Sequence, residues 1–304
     1  MGRHDITHQI EQLDPEKDHV RIYHLLSGYE FPWDIVRALE LALYRTFCVP
    51  SISALLDKSG EFGKRPQRRY DDTALLMAEI CQHGYDSEKG REALRRINRV
   101  HHQFQISNED YLYVLSRFLF EPCTWIERYG WRQLTQGEKH ACFLFWREVG
   151  RRMNIKDIPP DYESFLAWAR AYEREHFKFT EANARVGSAT RDLFLSWLPA
   201  PSRPIAKQAV YAMLDDELLE AFGFLKPNAA FKAMVRASLR ARGRAMRLLP
   251  ARTTPWFLTM QPSRTYPKGY QIDDLGPPDF LAKERAAREA GAQEQKAQKE
   301  QNPQ

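Results

Sequence analysis

The sequence predicts an all-α protein, and three observations predict it. Apolar residues recur three and four apart from about Pro32 to Leu249, helix cap signals punctuate that stretch, and the alternation expected of strands is nearly absent. Of the 304 residues, 43% are hydrophobic and 12% aromatic, enough to bury a large core and too many for a disordered chain. A single globular multi-helix domain with a C-terminal extension accommodates these features.

Residues 1–30 read as an N-terminal arm and residues 31–250 as the helical domain. Within it, Asp34 to Phe47 is closed by Val49-Pro50, because the residue before a proline disfavours the helical region. Asp71 to His83 ends at Gly84, in the manner of a C-cap glycine. A helix is expected from Ser87 to Phe104. Ser107-Asn108-Glu109-Asp110 resembles a capping box that opens Tyr111 to Phe120, with Pro122 after it. Thr135-Gln136-Gly137-Glu138 is a second capping box and opens a helix to about Met153. Asp161, after Pro159-Pro160, can cap a long helix reaching Ala184, and a shorter one precedes the loop from Pro199 to Pro204. Two more are expected, over Ile205 to Phe222 and Asn228 to Leu249. Residues 251–282 are rich in Pro, Thr, Ser and Gly and read as an irregular wrap or lid. Residues 283–304 carry Ala, Glu, Lys and Gln with no large apolar side chain, and are expected to be disordered or a solvated helix.

The most apolar N-terminal run, Ile35 to Leu56, is interrupted by Arg37, Glu40, Arg45 and Pro50, so no membrane span of about 20 uncharged residues is expected. The start, MGRHDITHQIEQLDPEKDH, has no apolar segment of secretory type, and the expected location is the cytoplasm. Four scattered cysteines form no CxxC or CxxCH pattern, so they read as small buried hydrophobes and any haem would be noncovalent. The net charge of +5 is mild and concentrates in Arg236, Arg240, Arg242, Arg244 and Arg247. That stripe lacks a nucleic-acid recognition module, so no nucleic-acid partner is expected; it reads first as cationic side chains lying over the domain, and next as a peripheral contact with anionic lipid aided by Trp256-Phe257-Leu258. No dinucleotide loop, P-loop, nucleophile elbow or HExxH motif is present.

The most informative stretch is Arg95-Arg96-Ile97-Asn98-Arg99-Val100-His101-His102-Gln103-Phe104. On a helix, His101 shares its face with Leu94, Ile97, Asn98 and Phe104 and points inward, whereas His102 lies about 100° round and leans toward solvent. Two adjacent histidines on one helix do not readily ligate one metal. An inward imidazole on an apolar face suits either a hydrogen-bonded core histidine or a haem ligand, and in the second case the ring's other N–H would donate to the carbonyl of Ile97. Arg95, Arg96 and Arg99 read as a solvated face. Upstream, Arg69 and Thr73 are four apart and share a face with Met77 if the helix extends that far; the plain alternative is an exposed helix start. Glu173-x-x-His176 has the spacing of a di-iron ligand pair, and Glu79 with His83 is another acid and imidazole pair, but the full set of two such pairs plus two carboxylates is missing.

Taken in order, Arg69-Tyr70-Asp71-Asp72-Thr73, Arg96-Ile97-Asn98-Arg99-Val100-His101, Asn108-Glu109-Asp110-Tyr111-Leu112-Tyr113, Ile126-Glu127-Arg128-Tyr129-Gly130-Trp131 with Leu134-Thr135-Gln136-Gly137-Glu138, and Tyr172-Glu173-Arg174-Glu175-His176 resemble a known series. It is that of the latex-clearing protein (rubber oxygenase) and fungal mycophenolic-acid-pathway oxygenase family, covering roughly Phe31 to Arg247 and closer to the fungal branch. The resemblance implies a globin-like helical core holding haem b, with His101 as iron ligand and Arg69 and Thr73 in catalytic and haem-binding positions. It further implies dioxygen and an apolar small-molecule substrate, isoprenoid or polyketide-derived, cleaved oxidatively at a carbon–carbon double bond. The rubber branch has a lysine on the distal side where this chain has Asp72. The competing expectations are a non-enzymatic helical protein that binds lipid or a partner through residues 236–258, and a di-iron carboxylate enzyme.

Overall fold

The computed structural model describes residues 2–301. The chain starts with α1 (Asp5–Glu11) and α2 (Pro15–Leu25), passes one π-helical turn (Leu26–Glu30) into α3 (Pro32–Phe47), and bends by 99° into α4 (Pro50–Ser59). The short α5 (Glu61–Lys64) leads to a hairpin of α6 (Pro66–His83) and α7 (Glu88–His101). Then come α8 (Asn108–Tyr129), α9 (Gln136–Arg152), α10 (Tyr162–His176), α11 (Glu181–Ser196), α12 (Arg203–Met213), α13 (Asp216–Phe222) and α14 (Ala229–Met246). A strap with two 3-10 turns crosses the surface to α15 (Pro278–Gln301). No β-strand occurs among the described residues, so the all-α expectation holds.

Local chemistry explains where helices begin. Prolines open α2, α3, α4 and α6, where the missing N–H is an orphan anyway and φ is already helical. The side chains of Ser87, Ser107, Thr135, Asp161 and Thr180 each accept the backbone N–H three residues on. Thr135 and Glu138 complete the reciprocal capping box expected of them.

The core is layered around α8 and α9: α3 packs along α8, and α2 packs along α9. Residues 5–30, which show little period of their own, carry Ile6, Ile10, Ile22, Tyr23 and Leu25 into this core. Tyr23 stacks on Phe145 at 4.1 Å between ring centroids and meets Trp146 edge-on. Each such aromatic contributes roughly 1.5–3 kcal/mol by leaving water. All four cysteines are free and buried, as expected.

Several boundaries depart from the sequence reading, each for a physical reason. α6 begins at Pro66 rather than Asp71, which brings Arg69 onto the helix. α7 stops at His101, short of Phe104. α8 runs through Pro122 to Tyr129; Pro122 is buried with Phe120, Cys123 and Trp125, and tertiary packing outweighs the lost hydrogen bond. The long helix expected from Asp161 to Ala184 is two helices, because Phe177 is extended and Thr180 caps a new start. Likewise Leu214 breaks 205–222, with Asp215 extended before α13. The tail is helical from Pro278 to Gln301 and is tied down at its start, where Glu284 pairs with Arg96; residues 302–304 lie outside the described residues.

The basic stripe on α14 is partly pinned to the domain. Arg242 donates to Asp34 at 2.8 Å with its guanidinium 3.6 Å over the Trp33 ring, and Arg247 donates to the Trp131 carbonyl at 2.6 Å. Phe257 is buried instead of extending the stripe outward. Among the described residues no single helix is long and apolar enough to cross a membrane; α3 and α4 pass that test only as a bent pair, and α3 buries Ile35, Ala38, Ala42 and Phe47.

Candidate active site

The α6–α7 hairpin places the sequence-singled residues at one end. Its turn depends on glycine: Gly84 has φ of 78°, and a Cβ on Gly90 would fall 1.9 Å from the Gly84 carbonyl oxygen. The antiparallel pairing that follows sets Arg69 and Thr73, early on α6, against His101 at the end of α7.

His101 is partly buried and keeps some accessible surface. Its ring lies 5.5 Å from that of Tyr111, tilted by 57°. Nδ1 is buried without a partner, so the expected bond to the Ile97 carbonyl is not made; the ring turns onto Tyr111 instead. Nε2 has no hydrogen-bond partner among the described residues and keeps some accessible surface. Burial, followed by the positive charge of Arg69 and then His102, pulls the imidazole down to about 4, so it is neutral at physiological pH. His102 is exposed, as the helix geometry predicts.

The Arg69 guanidinium donates to Thr73 Oγ1 and lies over the Phe62 ring at 5.5 Å. No carboxylate hydrogen-bonds it among the described residues; Asp72 and Glu61 act on it only through the field, and burial lowers its pKa. A partly buried cation lacking a hydrogen-bonded counter-ion favours an anion nearby.

The other arginines of α7 behave differently from one another. Arg95 and Arg99 are exposed, as expected. Arg96 is not: it is 0% exposed, donating to the carbonyls of Leu275 at 2.6 Å and Asp273 at 2.8 Å and to Glu284, with Phe280 beneath it. The strap 251–277, read from the sequence as a wrap or lid but with no sign of where it lies, makes that position internal.

Carboxylates of α6 hold the same strap. Asp71 accepts from Thr265 N at 2.9 Å, Asp72 accepts from Tyr266 OH at 2.5 Å and Gly276 N at 3.1 Å, and Glu79 accepts from Tyr270 OH at 2.6 Å. Burial raises the Asp72 pKa. Asp72 thus faces the strap.

Beyond Thr73 lies an apolar cavity, open at a mouth, between α3, α6, α8 and the strap. Leu39, Leu43, Met77, Phe118, Trp256 and Leu258 are among its walls, and its polar residues are Ser27, Glu40, Tyr70 and Thr73. His101 is not on its wall; Arg69 links the two, bonded to Thr73 and close enough to depress His101. In the sequence, Glu40 stands out only as a charge interrupting an apolar run. An acid that interrupts such a run on its buried face was the available signal.

The Glu173 and His176 pair does not form a metal site. Glu173 accepts from Arg117 at 2.9 Å, Tyr113 at 3.0 Å and Arg45 at 3.3 Å, and His176 Nδ1 bonds the Tyr172 carbonyl at 2.9 Å. The carboxylate is committed to cations. Among the described residues no group of three or more His, Cys, Asp or Glu is placed to hold a metal ion, which removes the di-iron expectation.

Comparison with known proteins agrees with the ordered motifs. The model of the family described as "ER-bound oxygenase mpaB/B'/Rubber oxygenase, catalytic domain" matches residues 35–248. The ER-bound oxygenase mpaB' of Penicillium brevicompactum is 28% identical over 242 residues, covering 74% of this chain and 57% of that protein. The ER-bound oxygenase mpaB of Penicillium roqueforti (strain FM164) is 30% identical over 215 residues, covering 65% and 72%. The Penicillium brevicompactum mpaB is 34% identical over 169 residues, covering 50% and 43%. The matched region thus spans from under half to under three quarters of these relatives. With a family model matching well over half of its length and the matched motifs lying on α6 to α10, this chain belongs to the ER-bound oxygenase mpaB/rubber oxygenase family.

Proposed function

We propose that the protein is a b-type haem-dependent oxygenase that uses dioxygen on an apolar small molecule, isoprenoid or polyketide-derived, by oxidative cleavage of a carbon–carbon double bond. One observation carries the reading: among the described residues, a neutral, inward imidazole with no hydrogen-bond partner stands beside a partly buried guanidinium that no carboxylate bonds, next to an apolar cavity. These residues fit a haem. His101 Nε2 would bind the iron, and Arg69 would meet a propionate, which supplies the anion its burial calls for. Bound haem supplies the redox chemistry that activates dioxygen.

The chain's own residues account for the rest. Thr73 holds the Arg69 guanidinium in place through its hydroxyl. The cavity can accept an apolar substrate, because its walls offer almost nothing polar. Asp72, where the rubber branch has lysine, is occupied with the strap and supplies no distal ligand. An absorption spectrum with a pyridine haemochrome assay, on protein expressed with ample haem, tests this. The expected result is a Soret band; a colourless protein would refute the haem reading.

A peripheral membrane contact accompanies this proposal, because the relatives are named ER-bound and α14 displays Arg240 and Arg244 beside Leu248, which is 86% exposed. Binding to anionic but not zwitterionic vesicles in co-sedimentation is expected; equal, negligible binding to both would remove it. As a sole function, lipid or partner binding through residues 236–258 fits poorly, since Phe257 faces inward.

A further inference from the structure

The cavity has one chemically distinct end. Glu40 is buried on α3, and its Oε1 receives the Tyr70 hydroxyl at 2.8 Å and the Arg37 guanidinium at 2.7 Å. Its Oε2 has no hydrogen-bond partner among the described residues and keeps some accessible surface, and Glu40 is one of the residues lining the cavity. A carboxylate oxygen facing an apolar space wants a donor. Arg37 already balances the charge, so an ammonium group would bring a second cation into a dry site. A second carboxylate would meet like charge. A neutral hydroxyl satisfies Oε2 without either penalty, and the apolar walls take the remainder of the molecule.

We propose that the cavity binds an elongated apolar molecule ending in a hydroxyl group, and that Glu40 Oε2 receives that hydroxyl. Tyr70 and Arg37 act as positioning residues by holding the other carboxylate oxygen. The inference deepens the oxygenase reading by naming the substrate's polar end, and it rests on that reading only for the word substrate. The binding itself needs no iron.

The test is displacement of a fluorescent apolar probe, 1-aminoanthracene, from the purified protein at about pH 8, where Glu40 is ionised. Geraniol, geranyl methyl ether and geranic acid compete in turn. Geraniol should displace the probe with about tenfold higher affinity than the ether, which has lost the donor, and geranic acid should bind most weakly. Glu40→Gln keeps the shape but accepts less strongly; the preference for alcohol over ether should fall to about threefold or less, while ether binding stays unchanged. Ala74→Phe, which fills the cavity, should abolish binding of both. Equal affinity of alcohol and ether in the unmodified protein, an equal loss of both in Glu40→Gln, or unaltered binding in Ala74→Phe would each overturn the proposal. The same competition on His101→Ala separates the two ideas: the alcohol preference persists there whether or not haem binds.

Discussion

Replacing Arg96 by Met tests whether the C-terminal strap is an integral wall of the domain. Methionine reproduces much of the aliphatic stem and its packing on Phe280 but deletes the guanidinium. That group donates to two strap carbonyls, those of Leu275 and Asp273, and to the Glu284 carboxylate at the head of α15. Charge-assisted hydrogen bonds are each worth about 1.5–3 kcal/mol, and removing one side of a buried ion pair costs roughly 3–5 kcal/mol because the acceptors stay desolvated. Part of that loss is recovered, since Glu284 is at the surface edge and Arg99 also reaches it at 3.2 Å. The expected cost is therefore about 3 kcal/mol, or a fall in Tm of roughly 5 °C for a chain of this size. Urea or thermal unfolding by circular dichroism measures the loss, and hydrogen exchange should show residues 263–284 losing protection first. Arg96→Lys should recover little, because an ammonium cannot span three acceptors. A cost under about 1 kcal/mol with unchanged exchange would show that Arg96 does not hold the strap.

Burial raises Glu40 from an ordinary 4.5 to about 7, so between those values the folded state keeps a proton that the unfolded chain releases. The stability this contributes is complete below about pH 4.5 and is lost as pH rises through 7, on the order of 3 kcal/mol; Glu40→Gln should flatten that slope in urea titrations across the range, and an unchanged slope would refute the assignment. Gly243→Ala should loosen α14, because a Cβ there would lie 2.2 Å from the Tyr129 carbonyl oxygen; a drop in Tm with increased proteolysis after residue 228 is expected, and unaltered stability would contradict the close approach. Glu173→Leu leaves Arg45 and Arg117 facing each other without their shared acceptor, and a loss of about 3–5 kcal/mol in unfolding experiments is expected.

The helical architecture was legible because its signals are local. Period, caps and turn prolines act within a few residues, so Thr135–Glu138 and Gly84 could be read directly. What was not legible depends on distant chain. Pro122 looks like a stop until α8 is seen packed on α3 and α9, and Arg96 looks solvated until residues 273–284 cover it. At the site, the inward turn of His101 followed from helix geometry, whereas its grouping with Arg69 and Thr73 came only from the family resemblance, and the α6–α7 hairpin that brings Arg69 near it is a tertiary feature. The cavity did not, because its walls come from α3, α6, α8 and the strap together, and Glu40 gains its meaning only from facing Tyr70 across that assembly.

The most direct test of the central claim is a haem titration of the unmodified protein, His101→Ala and Arg69→Met, followed by absorbance in the Soret region. The account predicts saturable, stoichiometric binding by the unmodified protein, with a spectrum that changes when His101 is lost. It further predicts weaker binding, but an unchanged ligand-dependent spectrum, when Arg69 is lost. Identical spectra and affinities for the unmodified protein and His101→Ala, or no saturable binding by either, would contradict it.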